Sequence, residues 1–399
     1  MTADLAEFEA IKRRHTPRDA DALEILDAGD DDTVIPPRGW LLGNTFCRRY
    51  VSSLTSSGGS GKTTLRIAQG LALATGRALT GEHVFQRSRV LVLSLEDDLD
   101  ELRRRVRAAR HHHRISASDV KGWLFLSAPK GLRIADMKEG AVQVGTLDTM
   151  IRETIEKHGI DVVMLDPFVK THNAPENDNA AIDAVATILS KIAIELDCAV
   201  DAPHHVSKGA ATAGDADKGR GASSFKDAAR LVYSLTTMTP EEAQTFGLTE
   251  ADRRSLVRVD SAKVNIVPVS AEAKWFRLVG VPLGNGTAIY PAGDEVQAIE
   301  PWSPPNLWEA IPPFVANKIL DDLGAGIEGG GLYSDAPAAT DRAAWPLVQR
   351  HAPSLSEAQC RKIISTWRKN GVLTPAEYRD EKSRKDRTGL RVVETKRPS

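Results

Sequence analysis

At 399 residues the chain is longer than one hydrophobic core ordinarily organises, so a main domain with at least one appendage is expected. Charged residues at 27% and hydrophobic ones at 41% suit a globular protein and argue against a membrane-spanning run of about 20 apolar residues. A formal net charge of -2 gives no overall bias toward polyanions, but residues 342–399 carry fourteen Lys/Arg against six Asp/Glu, so the rest of the chain is acidic.

The first residues lack the basic-then-apolar order of a secretory signal, and Cys47, Cys198 and Cys360 are too far apart for metal-type spacing. A cytoplasmic protein without disulfides or structural zinc is the expectation. Residues 1–37 read as a flexible acidic lead-in, with one amphipathic helix at 5–14 and an acidic run at 27–32. From residue 50 onward, short apolar runs alternate with longer helical periods, the pattern of βαβ units around a parallel sheet. Strands are predicted at 50–54, 89–95, 123–127, 161–165 and 199–205. Helices are predicted at 63–75, 99–111, 144–157 and 183–196. The Gly, Ala and Asp mixture at 209–221 reads as a mobile loop. Strands at 231–236, 255–263 and 273–278 then close the sheet, and turns follow at 281–287. Five prolines between Pro301 and Pro313 predict a linker, assigned to 301–335, between a core at 38–300 and a basic unit at 336–399.

The first strand leads into SSGGSGKTT, residues 56–64. A glycine-rich turn that opens a helix can aim successive backbone N–H groups at a phosphate, while the helix presents its positive end. Gly61, Lys62 and Thr63 match the G-x-x-x-x-G-K-[ST] pattern, whereas Ser56 stands where its first glycine is expected. That serine is a concern only if its position needs a positive φ, and Gly58 and Gly59 keep the loop permissive. Ser57, Gly58, Gly59, Ser60, Gly61, Lys62, Thr63 and Thr64 are therefore the candidate cradle for ATP.

Three further elements are expected at strand carboxyl ends, the edge where open α/β sheets take ligands. Asp166, closing DVVMLD, suits a Mg²⁺ ligand of the Walker B kind, with Thr63 as its companion. Glu96, closing VLVLSLE, suits a group that orients and deprotonates water in phosphoryl transfer. Asp97 and Asp98 compete for that role, and a helix-capping acidic cluster is the alternative for all three. His204 and His205 suit γ-phosphate sensors, the alternative being satisfied strand-end histidines.

These motifs resemble the RepA-like hexameric replicative helicases of plasmids and phages, within the RecA/DnaB/KaiC branch of P-loop ATPases. The resemblance spans roughly residues 38–278 and is carried by GGSGKTT, SLEDD, LDPF with the later ENDN, HHVSKG and GRGASSFKDAAR. It implies an α/β fold with a RecA-like core and a twisted, mainly parallel sheet. It further implies a homo-oligomeric ring, expected to be a hexamer, in which Lys208 and Arg220 complete a neighbour's ATP site. Such an arginine commonly contributes about 10³-fold or more in rate. Loops at 171–181 and 209–218 would face single-stranded DNA in the channel, although both are poor in Lys/Arg and lack aromatic stacking groups.

In the basic unit, helices at 343–351 and 357–371 and a charged tip before an alternating strand read as a small winged helix. Arg361, Lys362, Arg368 and Lys369 would lie near a recognition helix, and Lys382, Arg384, Lys385 and Arg387 on the wing, for contact with duplex DNA or protein. The leading expectation is an ATP-driven DNA motor. The alternatives are a recombinase-like or helicase-loading ATPase that does not unwind, and an ATP-switched DNA-binding regulator.

Overall fold

The structure is a computed structural model that describes residues 25–29, 33–205, 222–267, 272–305, 311–328, 330–380 and 384–398. Backbone contacts divide the chain into two units, Met1–Arg38 and Gly39–Ser399. The helix expected at 5–14 lies outside the described residues. The second unit opens with a short hairpin, β1 (Trp40–Leu42) and β2 (Phe46–Cys47), which leads into the first parallel strand, β3 (Val51–Ser56). Helix α1 (Lys62–Thr75) follows, then β4 (Val90–Ser94), α2 (Leu99–His112), the single turn α3 (Ala117–Val120) and β5 (Leu124–Ser127).

A second hairpin, β6 (Ala135–Lys138) and β7 (Ala141–Val144), precedes α4 (Thr146–His158), β8 (Val162–Asp166) and α5 (Asn179–Glu195). Strands β9 (Ala199–Asp201) and β10 (His204–His205), helix α6 (Ala222–Ala228) and β11 (Leu231–Thr237) complete the parallel part. Two short capped helices, α7 (Pro240–Phe246) and α8 (Glu250–Arg254), then lead to the antiparallel strands β12 (Leu256–Val264), β13 (Lys274–Pro282) and β14 (Glu295–Trp302).

The sheet runs β14-β13-β12-β11-β3-β9-β8-β4-β5, with β10 paired to β3. It is parallel from β11 through β5 and antiparallel from β11 to β14. The apolar runs of β4 and β8 are continuous because helices cover both faces, and a strand's side chains alternate between faces. Val90, Val92, Val162 and Met164 pack toward Ile67, Leu71, Leu102 and Val106 of α1 and α2. Leu91, Leu93, Val163 and Leu165 pack toward Leu147, Ile151, Ile182 and Val185 of α4 and α5. This two-faced core fixes the carboxyl ends of β3, β4, β8 and β10 along one edge.

The proline-rich stretch differs from the expected linker. Pro301 lies inside β14, and Pro312 and Pro313 open a further helix, α9 (Pro313–Ala325), at positions where an amide hydrogen has no helical acceptor. Ile319, Leu320 and Leu323 of that helix are buried against α10 (Trp345–His351) and α11 (Glu357–Lys369). Ser356 and Gln359 cap α11 reciprocally, and an antiparallel pair, β15 (Leu373–Arg379) and β16 (Asp386–Val392), ends the module. Among the described residues no helix is long and apolar enough to cross a membrane.

Candidate nucleotide site

Strand β3 ends at Ser56, and the turn that follows reaches α1 through Gly59 at φ 76° and Gly61 at φ 95°. Both are left-handed conformations that glycine adopts without strain. Ser56 is a buried strand residue outside the positive-φ set, so the serine that departs from the motif occupies a place where glycine is not needed. The loop is held by Ser60 Oγ donating to the Ser57 carbonyl at 2.7 Å. Gly61 is also close-packed, since a Cβ there would lie 2.9 Å from Leu278 Cδ2 on β13. Helix α1 has no side-chain cap and no acidic residue in its first turn, which leaves its amide groups and positive end for an anion.

Lys62 is only 4% exposed, and its Nζ lies 3.1 Å from His205 Nδ1. Burial pushes its pKa down, while Asp166 and Glu96 pull it back up. Thr63 Oγ1 donates to Asp166 Oδ2 at 2.5 Å, which joins the start of α1 to the end of β8. One hydroxyl and one carboxylate, both hard oxygen donors beside a phosphate cradle, fit Mg²⁺, which takes few protein ligands and shares substrate oxygens. Lys62 and Thr63 beyond β3, Asp166 at the end of β8 and His205 at the end of β10 thus meet at one edge.

The acidic triplet separates by task. Asp97 receives Arg105 Nε at 3.1 Å, and its backbone N–H donates to Ser94 Oγ. Asp98 caps α2 by accepting from the Glu101 amide at 2.8 Å, a bond that holds its carboxyl below the usual range. Glu96 has neither duty; its side chain is 60% exposed, with Oε2 3.9 Å from His205 Nε2. The two histidines also part. His205 meets Lys62, and burial together with Lys62 lowers its pKa. His204 turns instead into an aromatic pocket, 5.6 Å from the Phe168 ring, which stacks on Phe225. Neither ring nitrogen of His204 has a hydrogen-bond partner among the described residues, and burial drives its pKa to about 4. Lys208 and Arg220 lie outside the described residues, as does the 209–218 loop. The 171–181 loop carries buried Thr171 and His172 before an exposed run at 175–180 that leads into α5.

Asp201, which the sequence patterns did not single out, supports the site from behind. It lies on β9, is fully buried, and accepts both Nε and Nη2 of Arg66, at 2.8 and 2.7 Å, as well as Ser52 Oγ at 2.7 Å. Arg66 continues to Gln69, and Gln69 to Glu82, which also receives Thr45 and Lys274. This chain of polar contacts ties α1, directly behind the phosphate turn, to the sheet. The available signal was Asp201 itself, a carboxylate in the otherwise apolar run AVDA.

Residues 16–211 match the AAA domain family. The matched stretch contains the glycine turn, Glu96, Asp166 and both histidines. Among solved structures, one ATPase domain is similar over 74% of this chain and 96% of that chain, at 17% identity and a TM-score of 0.42.

Proposed function

We propose that the chain is an ATP-hydrolysing DNA motor, a RepA-like replicative helicase that works as a ring on single-stranded DNA. The observation that carries the reading is the meeting of Lys62, Thr63, Asp166, Glu96 and His205 at one sheet edge, beside an uncapped helix start. In this scheme the glycine-turn amides and Lys62 bind the β- and γ-phosphates, and Thr63 and Asp166 are the residues that would hold Mg²⁺. The bound ion would neutralise charge on the phosphate oxygens. Glu96 orients a water and takes its proton as the new P–O bond forms, and the bridging oxygen leaves with ADP. His205, 3.1 Å from Lys62 Nζ and 3.9 Å from Glu96, would register loss of the γ-phosphate in this scheme. Lys208 and Arg220 of a neighbouring subunit would complete the site in the ring.

Displacement of a strand from forked DNA by the full-length protein with ATP and Mg²⁺ tests this reading. DNA-stimulated hydrolysis without displacement would instead favour a recombinase-like or loading ATPase. The order of three helices and a hairpin from α9 to β16 supports a winged helix, and with it the second reading of an ATP-switched duplex binder. Exposed Lys362, Lys369, Arg384 and Lys385 suit that role, and Lys382 lies outside the described residues. Arg361, Arg368 and Arg387 are instead paired internally with Glu357, Asp335 and Asp380, which reduces the positive field the module presents.

A further inference from the structure

Strands β13 and β14 are joined by a projecting tip, residues 283–294, whose positions 284–292 are all exposed. The tip is nevertheless built. Asn285 and Asp294 exchange hydrogen bonds at 2.6 and 2.8 Å, and the Thr287 amide donates to the Tyr290 carbonyl at 2.9 Å. The Tyr290 amide in turn donates to Thr287 Oγ1 at 3.0 Å. This scaffold displays Ile289 at 79% and Tyr290 at 73% exposure. Holding an aromatic and a branched aliphatic side chain in water on an ordered turn gains the fold nothing by burial, so a partner is the natural beneficiary.

The base of the tip packs on α2 through Ala108, Val281 and Leu283, and Arg104 Nε reaches Asp294 at 3.2 Å. Between tip and helix runs an open groove lined by Asp100, Arg103, Arg104, Arg107, Leu283 and Asn285. Arg103 is matched by Asp100 at 2.8 Å, and Arg107, one turn further on, has no carboxylate partner among the described residues.

We infer that this groove and tip form a single-stranded nucleic acid surface, with Arg103 and Arg107 on the phosphates and Tyr290 stacking on a base. A cationic groove beside an exposed aromatic is the combination that single-strand binding uses, and the 171–181 loop has neither Lys/Arg nor Phe, Tyr or Trp. Both walls reach the nucleotide site. Helix α2 starts three residues after Glu96, and β13 places Leu278 against Gly61 of the phosphate turn. The groove gives the strand of the proposed motor a place on the chain, and it rests on that reading for its partner class.

The test uses full-length protein and a fluorescein-labelled oligothymidylate, with binding followed by anisotropy over a range of NaCl concentrations. Tyr290→Ala should weaken binding about tenfold with little change in salt slope, as expected for loss of one stacked base. Arg103→Ala with Arg107→Ala should lower the slope by about 1.4, at about 0.7 for each single-strand phosphate that is no longer neutralised. All three side chains are exposed, and retained affinity for a fluorescent ATP analogue confirms an intact fold. Parental affinity and slope in both variants would overturn the surface while leaving the motor reading intact. Loss of duplex binding in the arginine variant, with Tyr290→Ala unchanged on both DNAs, would also overturn it. If the parent protein binds no oligothymidylate, the surface and the motor reading fall together, and ATP turnover in the same samples reports separately on the nucleotide site.

Discussion

At Lys62 the fold keeps an ammonium group almost out of water beside a histidine, an arrangement that is unfavourable until an anion arrives. Lys62→Ala is therefore expected to leave the unliganded protein at least as stable, while abolishing the stabilisation that ATP gives the parent. That stabilisation is about 2.7 kcal/mol at about 100 times Kd and can be followed by thermal shift with Mg²⁺-ATP. Glu96→Gln should keep nucleotide affinity and lose about 10²–10⁴-fold in kcat, measured by phosphate release. Parental turnover in that variant would point to Asp97 or Asp98, each of which would first have to abandon Arg105 or the start of α2. His204 makes a pH prediction. Its folded pKa of about 4 lies below its ordinary 6.5, so the unfolded chain takes up a proton that the fold refuses as pH falls between those values. Stability should be unaffected by this group above pH 6.5 and fall by up to about 3 kcal/mol on approaching pH 4. Urea unfolding at about pH 7.5 and about pH 5 should show a flatter dependence for His204→Phe.

At the scale of elements, the phosphate turn is only as well placed as the helix behind it. Helix α1 is registered on β9 by the bidentate Arg66–Asp201 pair, which lies in the protein interior. Burial alone would push the Asp201 carboxyl up, and Arg66 and Ser52 oppose that. Removing one partner strands the other charge in a dry site. Asp201→Ala is therefore expected to cost about 3–5 kcal/mol in urea unfolding, more than a surface pair would. Arg66→Met with Asp201→Leu should recover much of the loss, because the charges then leave together.

At the scale of the molecule, Gly39–Ser399 forms one unit by its contacts, and α9 belongs to the C-terminal module rather than to a tether. A chain ended at residue 335 keeps α9 but removes the residues that cover Ile319, Leu320 and Leu323, each worth about 1.5–3 kcal/mol when buried. Such a chain should bind a hydrophobic dye and aggregate. A chain ended at residue 305, which removes α9 as well, should do so less. Equal behaviour of the two in light scattering would mean that the α9 face is protected by something other than the module.

The periodicities of the sequence were enough to locate the parallel strands, since buried runs such as VLVLS and VVML admit few other readings. The glycine turn, Lys62 and the strand-end acids were legible for the same reason: local pattern and local chemistry coincide there. Sequence put Glu96 first but left Asp97 and Asp98 as competitors, because all three are carboxylates at adjacent positions. Arg105, seven or more residues away, and the capped α2 helix separate them in space. Nor could it distinguish a proline-rich linker from prolines at a strand end and a helix start, or pair Asp201 with Arg66 across 135 residues. Short-range pattern fixes backbone state and the edge at which a ligand meets the sheet. Which charge is paired, buried or left facing solvent depends on contacts between distant segments, and only the packed chain decides it.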